Sequence, residues 1–411
     1  MNWSLFRMII PAFPELNIFT RQAKRTTALG PIMVATVANK LWGWRVEVID
    51  ENNYKGPRDN RGLPDHIILQ KQNPAQVVGF YCGLTSTIER VWEIAEFYHR
   101  EKIITIAGGW HAHYCPEETL KHDIDLVVHG DGESSIRKIL TSLKKEEPLN
   151  NILGTSFLED GQLQTNLPEF LEEPDLNDLP YPDFGLLKYA KIKIYPIGRI
   201  RGCSMNCEFC SVKGAPRWAS SQHLFGTVKR LVETKKARHF FIVDDRSEQD
   251  LDGTVEFFSM VAGKYGNRLH FTVQARLETA KNIKLLEIMR DAGVRIVCIG
   301  YESPIDEDLR TMRKGFLSSH MLEWTKVWHR YIHWIHAMFI AGYPLEEKKN
   351  SISAKEIIKR FKNFINKASL DTVQILLPGP GVGTDLRSRL EKEGRIFPLD
   401  LVPWGKYDGN Y

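Results

Sequence analysis

Apolar positions along this chain fall into two series of short runs alternating with helically spaced stretches, parted by a polar, proline-rich segment at 174–184. In the first series, residues 5–10 form an apolar run ending at Pro11, and 45–50, 75–81, 103–107 and 125–129 repeat the strand pattern. Helical spacing occupies 28–41, 88–100 and 133–143 between them. Short apolar strands alternating with helices predict an α/β fold with a parallel sheet covered on both faces.

Residues 146–190 read as a join. A polar exit at 144–148 leads to a hairpin at 153–163, turning at Asp160 and Gly161, and then to an extended linker. The second series starts with a strand at 192–200 and a helix at 224–235. Strands follow at 239–243, 269–275, 294–299, 336–341 and 372–376, with a helix at 283–292 stopped by Gly293. About six strand–helix units predict a partial (β/α)6 barrel of the TIM type, with its reactive groups at the carboxyl ends of the strands. The domain reading is therefore 1–145, a hairpin and linker over 146–190, and a barrel over 191–411.

Composition narrows the partners. The 411 residues, 43% of them hydrophobic, suffice for full cores in two or three domains. A net charge of +4 with no basic stripe gives no case for nucleic acid. No apolar run reaches the roughly 18 residues of a membrane span, and residues 1–11 lack a basic leader with a small-residue cleavage site. Six cysteines, three in one loop, point to a reducing cytoplasm.

Those three, Cys203, Cys207 and Cys210, have the spacing C-x3-C-x2-C. Structural zinc wants four ligands, and the next histidine, His223, lies thirteen residues beyond Cys210. A disulfide would leave one cysteine over. A [4Fe–4S] cube held by three thiolates keeps one iron open to an exogenous ligand, which is the reading the spacing favours.

The stretch from Tyr195 to Trp404 resembles the radical S-adenosylmethionine (radical SAM) family, in which an aromatic residue, here Phe209, precedes the last cluster cysteine. The resemblance implies that S-adenosylmethionine chelates the open iron and is cleaved by one electron to a 5′-deoxyadenosyl radical. It implies an electron donor such as ferredoxin or flavodoxin. Gly300, Glu302 and Ser303 match the Gly-x-Glu-Ser phrase after the fourth strand, whose carboxylate and hydroxyl contact the cofactor. Arg276, after the third strand, is placed to pair with the methionine carboxylate, and Phe209 to offer backbone polar groups to adenine. Asp244 and Asp245 end the second strand, where a carboxylate is more often solvated or a cap than a ligand. Lysine-glycine at 314–315, Phe-x-x-Gly-x-Pro at 339–344 and a proline-glycine turn at 377–381 extend the likeness. No side chain is assigned a part in the chemistry itself.

The first series resembles the cobalamin-binding, Rossmann-like (flavodoxin-like) domain that precedes many radical SAM domains. Gly108 and Gly109 with His111 and Pro116 to Glu118 match one of its phrases, and Val128 to Glu133, with Gly130 and Gly132, another. Thr85, after the third strand, takes the place of a threonine near the corrinoid's nucleotide tail. The Asp-x-His-x-x-Gly phrase that supplies a cobalt-ligating histidine is absent, which leaves the lower face of cobalt to solvent or another residue. Tyr81 stands where relatives often have a small hydroxyl residue.

Together these imply a cobalamin-dependent radical SAM enzyme. The favoured reaction is methylation of an unactivated carbon of a small-molecule or lipid-like substrate. The alternatives are cyclisation, ring contraction or carbon–carbon bond formation without methyl transfer, and a non-catalytic corrinoid or iron–sulfur sensor. A methylthiotransferase is disfavoured, because only Cys82 and Cys115 precede Cys203. Trp324, Trp328, Tyr331 and Trp334 with His329 and His333 read as packing, with a metal-binding His329–His333 pair at i, i+4 as the other option. Relatives commonly continue past the pattern at 404–409 into a helical tail that encloses substrate. A chain ending at Tyr411 implies open binding of a large molecule, closure by a partner, or a chain cut short.

Overall fold

The computed structural model describes residues 3–14, 20–168, 171, 173–346 and 352–409; the chain end at Tyr411 lies outside them. Two compact units make up the chain, one of Met1–Lys193 with Phe397–Asp408 and one of Ile194–Ile396 with Gly409–Tyr411.

In the first unit, β1 (Ser4–Ile10), β2 (Trp44–Asp50), β3 (Val77–Tyr81), β4 (Ile104–Gly108) and β5 (Leu126–Val128) form a parallel sheet in the order β2-β1-β3-β4-β5. Phe6 is paired with Val46 on one side and Val77 on the other, and Ile106 with Leu126. The chain reverses direction across the sheet between β1 and β3, and at such a switch point ligands bind beyond the carboxyl ends. Helices Leu29–Ala38, Ile88–Arg100 and Gly132–Lys144 follow β1, β3 and β5. Both faces of β1 are buried, Leu5 to Ile10 without exception. Arg7, inside this run and fully buried, is therefore an expense that must be matched by partners. Its guanidinium donates to Glu47 at 2.6 Å, Tyr98 at 2.9 Å, Gln70 at 3.0 Å and the carbonyls of Leu69 and Asn73.

The hairpin read as part of the join belongs to this sheet. Its strands β6 (Thr155–Glu159) and β7 (Gln162–Asn166) add antiparallel beyond β5, with Val127 opposite Ser156. Asp160 and Gly161 form the turn, both at positive φ. Residues 397–408, expected at the end of the barrel, pack in the first unit, where Trp404 is 4% exposed.

In the second unit β8 (Tyr195–Ile197) leads into a two-residue ladder of β9 (Ile200–Arg201) and β10 (Arg217–Trp218). The main sheet joins β8, β11 (His239–Ile242), β12 (His270–Ala275), β13 (Val294–Glu302), β14 (Trp334–Ile340) and β15 (Thr372–Leu376), all parallel and in chain order. Six sequential parallel strands with unjoined ends are the expected partial barrel. The core lies between the strands and helices: Phe240 stacks on Phe271 at 5.2 Å, and Phe257 and Phe258 of helix Leu251–Tyr265 close on Phe271. Helix starts are capped by side chains, Ser220 accepting from His223 N and Asn282 from Leu285 N. The helix Met321–Tyr331 ends before His333, so His329 and His333 do not share a helical face. Trp324 and Trp328 are buried, Trp328 donating to Leu277 O, and these two pack, whereas His329, His333 and Trp334 are exposed.

Candidate cofactor sites

The ladder of β9 and β10 closes the loop that carries the three cysteines. Its backbone is tied down from β11 onward. Asp245 accepts from Gly202 N at 2.7 Å, while Gln249 accepts from Ser204 N at 2.7 Å and donates to Gly202 O at 2.9 Å. One oxygen of buried Asp244 accepts from Arg199 N and Ile200 N at 2.6 and 2.9 Å. Burial pushes Asp244 up to about 6 against these two hydrogen bonds. The two aspartates thus hold the loop's own backbone.

Glu208, inside the cysteine motif and 4% exposed, anchors the other end. Its carboxylate accepts Arg389 Nε at 2.7 Å, Arg389 Nη2 at 3.1 Å and the Tyr343 hydroxyl at 2.8 Å, and its N–H donates to Met312 O. Lys213 Nζ donates to Cys207 O at 2.8 Å. Phe209 sends its ring into a cluster with Met312, Tyr343, Leu386 and Leu390, leaving its backbone as its polar contribution. Cys207 is buried, and Cys203 and Cys210 are partly so. The Cys210 thiol is pushed up by burial and then by neighbouring Cys207 and Cys203, so the sulfurs lie within electrostatic reach. Three soft donors on a pinned loop fit a cluster with three protein ligands.

At the ends of β12 and β13 the charges are paired. Arg276, 8% exposed, bonds Glu278 and the Lys314 carbonyl, and Cys207 is among the groups that act on its charge. Glu302 lies at a φ of 63° and accepts Lys314 Nζ at 2.7 Å, both side chains at most 10% exposed. Gly300 makes this possible, since a Cβ there would meet Glu302 Oε1 at 2.3 Å. Ser303 Oγ donates to Asp308 at 2.6 Å and accepts from Ile305 N, so this hydroxyl is tied to the residues just before and within the helix Asp306–Thr311. The structure therefore brings Arg276, Gly300 and Glu302 together with Lys314 and ties Ser303 into the helix start. Gln249 and the Glu208–Tyr343–Arg389 set were not foreseen. A lone acid inside a cysteine motif is the one signal that pointed to them; Arg389, 181 residues on, carries none.

In the first unit the rim is built from backbone. Gly109 follows β4 at a φ of 120°, and a Cβ there would meet the Cys82 carbonyl carbon at 2.7 Å. His111 N donates to Cys82 O, and Cys82 N to Gly108 O, so the loops after β3 and β4 are stitched together. Thr85 opens the short turn Thr85–Thr87, Gly130 follows β5, and Gly132 begins the next helix. Gly109, where a Cβ would strike main chain, and Gly130, at a φ of 70°, keep this part of the rim to bare backbone, which suits a group that must come close to main chain. Tyr81 folds its ring over Gly83.

Two domain models match the chain: the B12 binding domain over residues 22–140 and the radical SAM superfamily over 197–354. An uncharacterized methyltransferase of Pyrococcus horikoshii is 26% identical over 83% of this chain and 74% of its own length. The hopanoid C-2 methylase of Rhodopseudomonas palustris is 24% identical over 87% of this chain, which spans 63% of that protein. Among solved structures, the radical S-adenosylmethionine methyltransferase TsrM from Kitasatospora setae, with cobalamin and a [4Fe–4S] cluster bound, superposes at a TM-score of 0.75. It is 14% identical, over 98% of this chain and 84% of that one. The cofactors that go with the two domains are a [4Fe–4S] cluster, S-adenosylmethionine and cobalamin. No helix among the described residues is long and apolar enough to cross a membrane. The chain belongs to the radical SAM enzymes that carry an N-terminal cobalamin-binding domain.

Proposed function

We propose that this protein is a cobalamin-dependent radical SAM methyltransferase acting on an unactivated carbon of a small-molecule or lipid-like substrate. The observation that carries this reading is a glycine-built B12 rim and a pinned three-cysteine loop in one chain. Relatives named as methyltransferases support it. When bound, the cluster with S-adenosylmethionine supplies a 5′-deoxyadenosyl radical and the corrinoid a transferable methyl group.

The chain's own part is to hold, orient and shield. Cys203, Cys207 and Cys210 would bind three irons, and Glu208 keeps their loop in place. Glu302 and Lys314, paired at 2.7 Å beside Arg276, offer charges of both signs to the amino and carboxylate ends of S-adenosylmethionine. Gly108, Gly109, Gly130 and Gly132 admit the corrinoid tail, with Thr85 at its side. Reducing equivalents would come from a ferredoxin or flavodoxin in the cytoplasm.

The test is product analysis with reconstituted protein, hydroxocobalamin and strong reductant. S-adenosylhomocysteine and 5′-deoxyadenosine accumulating together support methyl transfer. Deoxyadenosine alone turns the reading to cyclisation, ring contraction or carbon–carbon bond formation, and neither product from cluster-loaded protein turns it to a sensor.

A further inference from the structure

Just beyond β4, three unlike donors converge. His111 lies on the short helix Trp110–Tyr114, Cys115 at the joint, and Glu118 on the next helix, Pro116–Leu120. Pro116 has no N–H and ends one helical run while starting the next, which sets residues i, i+4 and i+7 on one side. One ligand atom from each, imidazole nitrogen, thiol sulfur and carboxylate oxygen, lie within 4.8 Å of one another.

The His111 side chain is fully buried and its Nε2 has no hydrogen-bond partner. Glu118 Oε2 is 3.3 Å away but off the line such a bond requires. Its Nδ1 faces Thr85 Oγ1 at 3.4 Å. A buried ring nitrogen without a partner is costly. Nature keeps such an atom where something else binds it. Trp404 caps the group, its ring 5.2 Å from that of His111 and its Nε1 donating to Glu118 Oε1 at 2.9 Å.

We propose that His111, Cys115 and Glu118 bind a divalent transition metal of the zinc class. Nitrogen, thiolate and carboxylate donors together suit zinc, with a fourth, tetrahedral position left to water. All three ligands come from the segment after β4, so the metal braces that segment, whose Glu118 also accepts the Trp404 N–H. This site is separate from the Cys203–Cys207–Cys210 loop, and its occupancy does not depend on methyl transfer.

The test uses the full chain with its iron–sulfur cluster reconstituted, so that the three loop cysteines are engaged. Zinc is added, the protein is desalted against a weak chelator, and metal content is measured. About one zinc per chain is expected for wild type and about none for Cys115→Ser. Glu118→Gln, which keeps an acceptor for Trp404, should retain far less zinc than wild type while the fold persists by circular dichroism. With cobalt(II) as the probe, wild type should show a thiolate-to-metal charge-transfer band that Cys115→Ser lacks. Zinc content unchanged by Cys115→Ser, or no zinc retained by folded wild type, overturns the proposal.

Discussion

The rim of the first sheet is made of backbone, with Gly108, Gly109, Gly130 and Gly132 at strand ends and Cys82 stitched to His111 and Gly108. The strand ends of the second sheet are crowded with charge: Asp244, Asp245, Arg276, Glu302 and Lys314, most of them buried and all but Asp245 under 9% exposed. The two sheets share parallel topology and differ in what they put at the same place. A rim of main chain suits a long, largely uncharged ligand that must lie close. A rim of opposed charges suits a small zwitterion and a cluster loop that must not move. The difference teaches that parallel strand ends select their ligand by side-chain chemistry and not by topology.

The sharpest way to break the comparison is to remove one donor of the second rim and ask whether the first notices. Cys207→Ala should abolish 5′-deoxyadenosine formation and leave corrinoid retention as in wild type. Loss of both functions together would mean that the rims are not independent cofactor sites.

Glu302→Gln tests the charge pairing. Lys314, 5% exposed, would lose its anionic partner, and the second unit should lose about 3 kcal/mol of stability. S-adenosylmethionine cleavage should fall with it, as read by deoxyadenosine yield and denaturant unfolding. Gly109→Ala is the matching test in the first unit. Its Cβ would press on the Cys82 backbone at a φ that favours glycine, costing about 2–4 kcal/mol from strain and overpacking. Corrinoid retention should drop while cluster absorbance stays.

How much of this was legible in sequence follows the same divide. The alternating apolar runs located the parallel strands of both sheets, because strands buried on both faces, as most of these are, leave little room for polar residues. The hairpin at 155–166 was read as a join, since an antiparallel edge pair has the same turn signal whether or not it docks on a sheet. The cysteine loop and the rim glycines stood out because their chemistry or backbone allows few substitutes. Glu208, Gln249 and Arg389 did not, because their roles depend on long-range contacts that leave no local pattern. Ser303 was legible as part of a phrase, yet its hydroxyl is bonded to Asp308.

The smallest expected effect is a difference in pH response. His129, 4% exposed and bonded to Ser156, is pushed down from 6.5 to about 4 by burial and by His113. Between pH 6.5 and 4 the unfolded chain takes up a proton that the folded chain refuses, so stability falls on acidification through that window and levels off below it. His129→Gln should remove up to roughly 3 kcal/mol of that fall at pH 4 and change little at pH 7. Asp244 has the opposite sign. Its folded form keeps a proton up to about 6, whereas its ordinary value is 3.8, so its contribution is lost as pH rises between the two. Asp50, also raised to about 6, acts like Asp244 within the first unit. The difference between wild type and variant, followed by denaturant unfolding across pH, is therefore the quantity to compare.

The most direct test of the central claim, that one chain holds both cofactors on two unlike rims, is the anaerobic absorption spectrum of full-length protein. It is supplied with iron, sulfide and hydroxocobalamin and then desalted. The expected spectrum shows corrinoid bands and iron–sulfur absorbance together, each in about one equivalent per chain. A spectrum with cluster absorbance and no retained corrinoid would contradict it.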